Sequence, residues 1–231
     1  SPSKAGASFV AWFTDKELNT EITDIPKGSM GDTTVFAKWV LDTFDIQYVL
    51  NGGNNNELNP AKYTVESSSI NFEKPSKTGS SFIAWYSDNA LTDKITGIPA
   101  GSIGDTILFA KWELDTFEIQ YVLNGGNNHP VNPEKYTFES DKIMFEAPSK
   151  IGANFIAWYS DKELNSKITE IPQGSLGDTM LFAKWELDTF DINYVLDGGS
   201  NNSLNPAKYT IESETIVFED PDKTGFIFDG W

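Results

Sequence analysis

The stretch FAKWELDTFEIQYVLNGGNN at residues 109–128 has two near-copies, FAKWVLDTFDIQYVLNGGNN beginning at Phe36 and FAKWELDTFDINYVLDGGSN beginning at Phe182. Self-similarity at a fixed spacing marks a repeat architecture and constrains the fold before any local pattern does. The period is 73 residues. Trp12, Trp85, Trp158 and Trp231 obey it, as do Trp39, Trp112 and Trp185, the pairs Gly52-Gly53, Gly125-Gly126 and Gly198-Gly199, and Pro2, Pro75, Pro148 and Pro221. Between residues 44–116 and 117–189, 52 of 73 positions are identical, with no insertion or deletion. The chain therefore reads as the back part of a unit at 1–43, complete units at 44–116 and 117–189, and the front part of a unit at 190–231. A unit of that length can bury a small core of its own. Partial units at both ends are what a window from a longer array would carry.

Within a unit the pattern is mostly strand. Ile46, Tyr48 and Leu50 alternate with Gln47, Val49 and Asn51 until Gly52-Gly53 closes the run, as period-2 alternation ended by a turn signal does. Asn54 to Lys62 is a polar loop containing Pro60, and Tyr63 to Phe72 fits either a short strand pair or an irregular helical turn. Ser81 to Tyr86 reads as a strand with Phe82, Ala84 and Tyr86 on one face and Ile83 and Trp85 on the other. Ile98 to Ser102 has turn chemistry, and in Thr106 to Trp112 the residues Leu108, Ala110 and Trp112 share a face from which Lys111 points away. Each unit is thus expected to be a small β-rich domain with at most one helical segment.

Composition narrows the function. At 39% hydrophobic and 13% aromatic there is ample core material. No apolar run approaches the about 20 residues of a membrane helix, so membrane insertion of this segment is not expected. Thirty-four acidic residues against 17 lysines, with no arginine, give a net charge of −17, which repels phosphate backbones and anionic lipid and disfavours a nucleic-acid partner. Zero cysteines remove disulfides, thiol catalysis and zinc–thiolate sites together.

The candidate catalytic groups differ from copy to copy. His129 is the single histidine and is replaced by Asn56 and Asn202 in the neighbouring units, so it cannot be a shared general base. Asp15/Glu17 and Asp161/Glu163 could flank a glycosidic bond, but Asp88-Asn89-Ala90 lacks the second acid. The Asn-Gly loops at 51–56, 124–128 and 197–202 offer oxygen ligands for calcium, while Gly-Gly with Asn is also what a tight turn requires. Lys38, Lys111 and Lys184 recur and read as solvated strand lysines that discourage edge pairing, in preference to partners in an intramolecular Lys–Asn cross-link. Trp85, Tyr86, Trp158 and Tyr159 are the candidate ligand-facing aromatics for stacking a glycan, against the alternative that the tryptophans fill the core. No catalytic residue, metal or cofactor is expected.

The blocks Tyr48-x-Leu50-x-Gly52-Gly53, then Pro75-Ser76-Lys77-x-Gly79-x-x-Phe82-x-x-Trp85-Tyr86, then Asp105-x-x-Leu108-Phe109-Ala110-Lys111-Trp112 resemble the Listeria–Bacteroides repeat, the B-repeat type of module found in internalin-like bacterial surface proteins. The resemblance covers every unit. Phe228-Asp229-Gly230-Trp231 has the family's F-x-G-W form, whereas Ala11, Ala84 and Ala157 stand where the family usually has glycine. The resemblance implies a β-rich α+β class: a tandem array of small β-grasp-like domains forming an elongated rod. It also implies an extracellular or bacterial-surface location and a role as stalk, fibre segment or adhesion module, with no catalytic residues to carry over.

The recurring stretch at 109–128 is then a joint. Leu41, Asp42 and Thr43, Glu113, Leu114, Asp115 and Thr116, and Glu186, Leu187, Asp188 and Thr189 connect the last strand of one unit to the first of the next. Four residues span at most about 14 Å and hold no Gly, Pro or serine run, so a flexible linker is not expected. The leucines are expected to dock into the inter-domain contact. Partners are expected to be neighbouring repeats of the same chain, with self-association into fibres, or a host or cell-wall glycan or protein, as further candidates. Completion of one molecule's partial unit by another's is disfavoured, because Pro2–Trp12 and Pro221–Trp231 would compete for one place.

Overall fold

The computed structural model describes residues 1–231. They divide into two compact units, Ser1–Asp115 and Thr116–Trp231. In the first unit the strands are β1 (Ala7–Phe13), β2 (Glu21–Ile22), β3 (Phe36–Leu41), β4 (Phe44–Val49), β5 (Lys62–Tyr63), β6 (Ile70–Asn71), β7 (Ser80–Tyr86), β8 (Lys94–Ile95), β9 (Gly97–Ile98) and β10 (Thr106–Leu114). In the second they are β11 (Thr116–Val122), β12 (Lys135–Thr137), β13 (Ile143–Met144), β14 (Ala153–Tyr159), β15 (Lys167–Ile168), β16 (Glu170–Ile171), β17 (Thr179–Leu187), β18 (Phe190–Asp191) and β19 (Lys208–Tyr209).

The complete repeat of the first unit is a five-stranded sheet in the order β5-β4-β10-β7-β8, beside a separate β6–β9 pair. Its central strands β4 and β10 run parallel, with Leu108 opposite Tyr48, and every other pairing is antiparallel. The second unit repeats this as β12-β11-β17-β14-β15 with β13–β16. The core lies on one face of the sheet: Ile46, Tyr63, Trp85, Ile98, Leu108 and Ala110 are buried, and Phe44, Tyr48, Phe72, Phe82 and Trp112 pack against them. Burying a side chain of the size of Leu108, which is fully enclosed, contributes about 1.5–3 kcal/mol.

The structure is all-β and corrects the expected α+β, β-grasp-like class, because no helix forms anywhere in the chain. A parallel pair cannot be joined by a tight hairpin, and here the chain from β4 to β10 passes through irregular segments, short strands and β7 of the same sheet, with no crossover helix. The sequence of the crossover explains this. Residues 54–72 carry Pro60, several Asn and Ser, and no apolar stripe of helical period. Its backbone is satisfied sideways: the buried Asn59 accepts from Glu73 N at 2.7 Å and donates through Nδ2 to Glu73 O at 3.1 Å, pairing with that residue as a strand would. Asn132 with Glu146 and Asn205 with Glu219 repeat the device. No buried side-chain polar atom lacks a partner.

Strand β7 also departs from simple alternation. The register against β10 shifts between Phe82 and Ala84, a bulge that lets Phe82 and Trp85 both face the core with ring centroids 5.4 Å apart. The same bulge lies between Phe155 and Ala157.

Candidate functional site

The joint residues are held from the preceding strands. Asp42, Asp115 and Asp188 each donate their backbone N–H to a glycine carbonyl, that of Gly6, Gly79 and Gly152, at 2.9–3.0 Å. Their carboxylates accept from Ser8, Ser81 and Asn154, each at 2.6 Å. Thus every joint aspartate is tied twice to the turn that opens the repeat's long hairpin. Leu41, Leu114 and Leu187 end their strands opposite Ala7, Ser80 and Ala153, and Leu114 remains 40% exposed. Glu113, Glu186, Thr43, Thr116 and Thr189 are exposed.

Across the joints inside each unit, glycine turns come close to residues of the following repeat. A Cβ on Gly6 would fall 2.6 Å from Val65 Cβ and 3.2 Å from Ile103 Cγ2 of the following repeat. One on Gly152 would fall 3.1 Å from Ile211 Cβ. Beside it, Lys150 Nζ lies 2.7 Å from Glu212 Oε1 and donates to Asn124 O at 2.9 Å, with its side chain only 13% exposed. Sequence reasoning missed these residues; the readable signal is an apolar residue recurring at Val65 and Ile211 within an otherwise polar turn.

The candidate ligand-facing aromatics separate into two kinds. Trp85 and Trp158 are 3% exposed, and their indole N–H groups donate to Glu73 O and Glu146 O. They are core residues and present no face to a sugar. Tyr86 and Tyr159 lie half-buried on the opposite face, under the ammonium groups of Lys111 and Lys184 at 5.5 and 5.4 Å from the ring centroids. Lys38 sits likewise over Phe13.

The candidate carboxylates close loops. Asp88 accepts from the backbone N–H groups of Thr92 and Asp93, Asp161 from Asn165 and Ser166, and Asp15 from Asn19 and Thr20. These backbone donors hold all three carboxyls below the ordinary aspartate value. His129 Nδ1 accepts from Val131 N within its own loop. In the Asn-Gly loops, Asn51 and Gly52 take φ of 49° and 87°, the pair of left-handed residues that a type I′ turn needs, closed by Gly53 N to Leu50 O at 3.0 Å. Two of the side-chain oxygens in this loop already serve its own backbone and side chains: Asn55 Oδ1 accepts from Asn56 N and Asn59 Nδ2, and Asn56 Oδ1 from Leu58 N.

Comparison with known proteins places these features. The model of the Listeria-Bacteroides repeat domain matches residues 1–38, 44–111, 117–184 and 190–231. A protein of Evansella cellulosilytica with the provisional name of membrane protein is 30% identical over 203 residues, covering 86% of this chain and 29% of its own length. A second from the same organism, provisionally named a Gly-rich membrane protein, is 27% identical over 239 residues, covering 99% of this chain and 26% of its own. The chain thus spans less than a third of the relatives it matches. No solved structure matches it, and no helix of the chain is long and apolar enough to cross a membrane. With its motifs recurring at a fixed period and the family model matching in every copy, this chain belongs to the Listeria-Bacteroides repeat domain family.

Proposed function

We propose that the chain is a segment of an extracellular stalk on a bacterial surface, spacing a distal part of a larger protein from its point of attachment. Repeats of this family are typical of surface-associated proteins, and the relatives' names point to the cell envelope. The observation that carries the reading is where each repeat uses its chemistry. In the complete repeats both tryptophans are bound into the fold: Trp85 and Trp158 are buried, and Trp112 and Trp185 donate to Leu50 O and Leu123 O. The carboxylates that resembled catalytic pairs close loops. Beyond core, turns and the lysine–aromatic stacks, the joint recurs in every copy. That distribution suits a spacer better than a glycan-binding module or an enzyme, and a net charge of −17 keeps such a spacer soluble and off anionic surfaces.

The test is surface display with an epitope at the distal end. Deleting residues 44–116 joins Thr43 to Phe117 in register. Antibody access to the epitope is expected to fall as repeats are removed and to rise as they are added. Access independent of copy number would overturn the stalk reading.

A further inference from the structure

We propose that consecutive repeats are locked by a clamp in which the apolar tip of one repeat's turn seats on the glycine turn of the repeat before it. Both joints that lie within a compact unit make the contact: Val65 with Ile103 on Gly6, and Ile211 on Gly152. Glycine is required on both counts at Gly6, and at Gly152 backbone strain is joined by a tight approach of 3.1 Å. Gly6 and Gly152 have φ of +66° and +68°, which L side chains rarely adopt, and a Cβ on either would press on the neighbour. By contrast Gly28, Gly101, Gly104 and Gly177 have positive φ but open space where a Cβ would stand. Close approach, and not turn geometry alone, distinguishes the joint glycines.

Both halves of the clamp are braced. The glycine side is tied to the chain's exit by Asp42 N to Gly6 O and Asp188 N to Gly152 O. The tip side is a closed turn in which Ser67 N donates to Thr64 O and Thr64 N to Ser67 Oγ, with Ser213 and Thr210 repeating it. The chain leaving one repeat and the surface receiving the next are therefore one piece, so the next repeat cannot pivot without unseating its tip. The partner this surface fits is a second repeat presenting a β-branched side chain, Val65 or Ile211, from such a turn. In the second unit the Lys150–Glu212 pair at 2.7 Å adds an electrostatic contact to the apolar one.

The clamp deepens the stalk reading and rests on it only for its purpose. It is tested on the whole chain, whose lack of cysteine lets Lys16→Cys and Glu57→Cys carry spin labels on either side of the first joint without background. The distance distribution between the labels is expected to be a single narrow peak. Val65→Ser, at a turn outside the repeat's buried core, and Gly6→Ala are each expected to abolish that narrow peak. Gly28→Ala, which places a Cβ at a similar φ but against nothing, is expected to leave it. A broad distribution in the parent chain, or a narrow one that survives both Val65→Ser and Gly6→Ala, would overturn the clamp. Either result leaves epitope access on displayed arrays to decide the stalk reading separately.

Discussion

The indole of Trp112 lies directly against Gly53, 59 residues earlier in the chain, so closely that a Cβ on that glycine would fall 2.6 Å from the ring's Cζ2. The indole N–H donates to Leu50 O at 2.9 Å, so the end of the last strand is fastened to the turn that ends the first. Trp185 and Gly126 repeat the arrangement, with 2.5 Å to Cζ2 and the bond to Leu123 O at 2.8 Å. Gly53→Ala is expected to destabilise the repeat by about 1–3 kcal/mol through overpacking. Trp112→Phe is expected to lose about 0.5–1.5 kcal/mol from the hydrogen bond alone, before the smaller ring's lost packing. Because the smaller ring relieves the ring's part of the clash, though not the 2.9 Å approach to Ser76 O, urea denaturation of the double variant should show a loss smaller than the sum of the two. Strict additivity would show that the contact is not the cause.

Leu108 and Leu181 are fully enclosed, whereas the adjacent Ile107 and Met180 are 46% and 44% exposed on the other face of the same strands. Leu108→Ala is expected to cost about 2–5 kcal/mol through lost transfer energy and the cavity left behind. Ile107→Ala should stay within about 0.5 kcal/mol, as exposed substitutions do. Thermal unfolding of the two variants side by side checks the assignment of the sheet faces.

Asn59 is expected to be intolerant of a carboxylate. Asn59→Asp keeps the acceptor for Glu73 N but replaces the donor to Glu73 O and Asn55 Oδ1 by a negative charge. Leaving those buried groups unpaired is expected to cost about 1–3 kcal/mol or more. Protonation restores a donor, so the deficit should shrink as pH falls into the carboxylate range. A deficit independent of pH would mean the amide acts only by its shape.

Acid is expected to loosen the loops at Asp15, Asp88 and Asp161. Backbone N–H donors lower these pKa values in the folded state from the ordinary aspartate value. A depressed folded pKa contributes stability that is present above the unfolded value and lost as pH falls through the folded one. The loss therefore belongs below the ordinary aspartate range. Titration of the carboxyl carbon signals should place these three groups below the ordinary aspartate value, and Asp88→Asn should flatten the acid limb of stability.

At the alkaline end Tyr48 and Tyr121 take over. Burial pushes both phenols up to about 12, from 10.0, with Glu134 adding to the shift at Tyr121. Their hydroxyls donate to Pro60 O and Pro133 O at 2.9 and 2.8 Å. A raised folded pKa gives stability that is complete below the unfolded value and lost as pH rises through the folded one. Ultraviolet titration should show these two tyrosines ionising late, with unfolding following them, and Tyr48→Phe should remove one late-titrating phenol. Ionisation of all tyrosines together near the ordinary value would contradict the burial.

Local chemistry made the repeat length, the strands around Ile46, Trp85 and Leu108 and the Asn-Gly turn legible in the sequence, because alternation and turn residues act over a few positions. The same reading established the acidic surface and the absence of thiol chemistry. Tertiary structure alone decided the parallel pairing of β4 with β10, the crossover without a helix, and the bulge that turns Phe82 and Trp85 to the same side. It also set Val65 against Gly6 and Ile211 against Gly152, contacts between residues far apart in the chain that no local pattern indicates. Each of these depends on residues far apart in the chain meeting in space, as Trp112 meets Leu50 across 62 positions. A periodic pattern specifies which residues are apolar and where turns fall; which strand lies beside which is settled only by how the whole set packs.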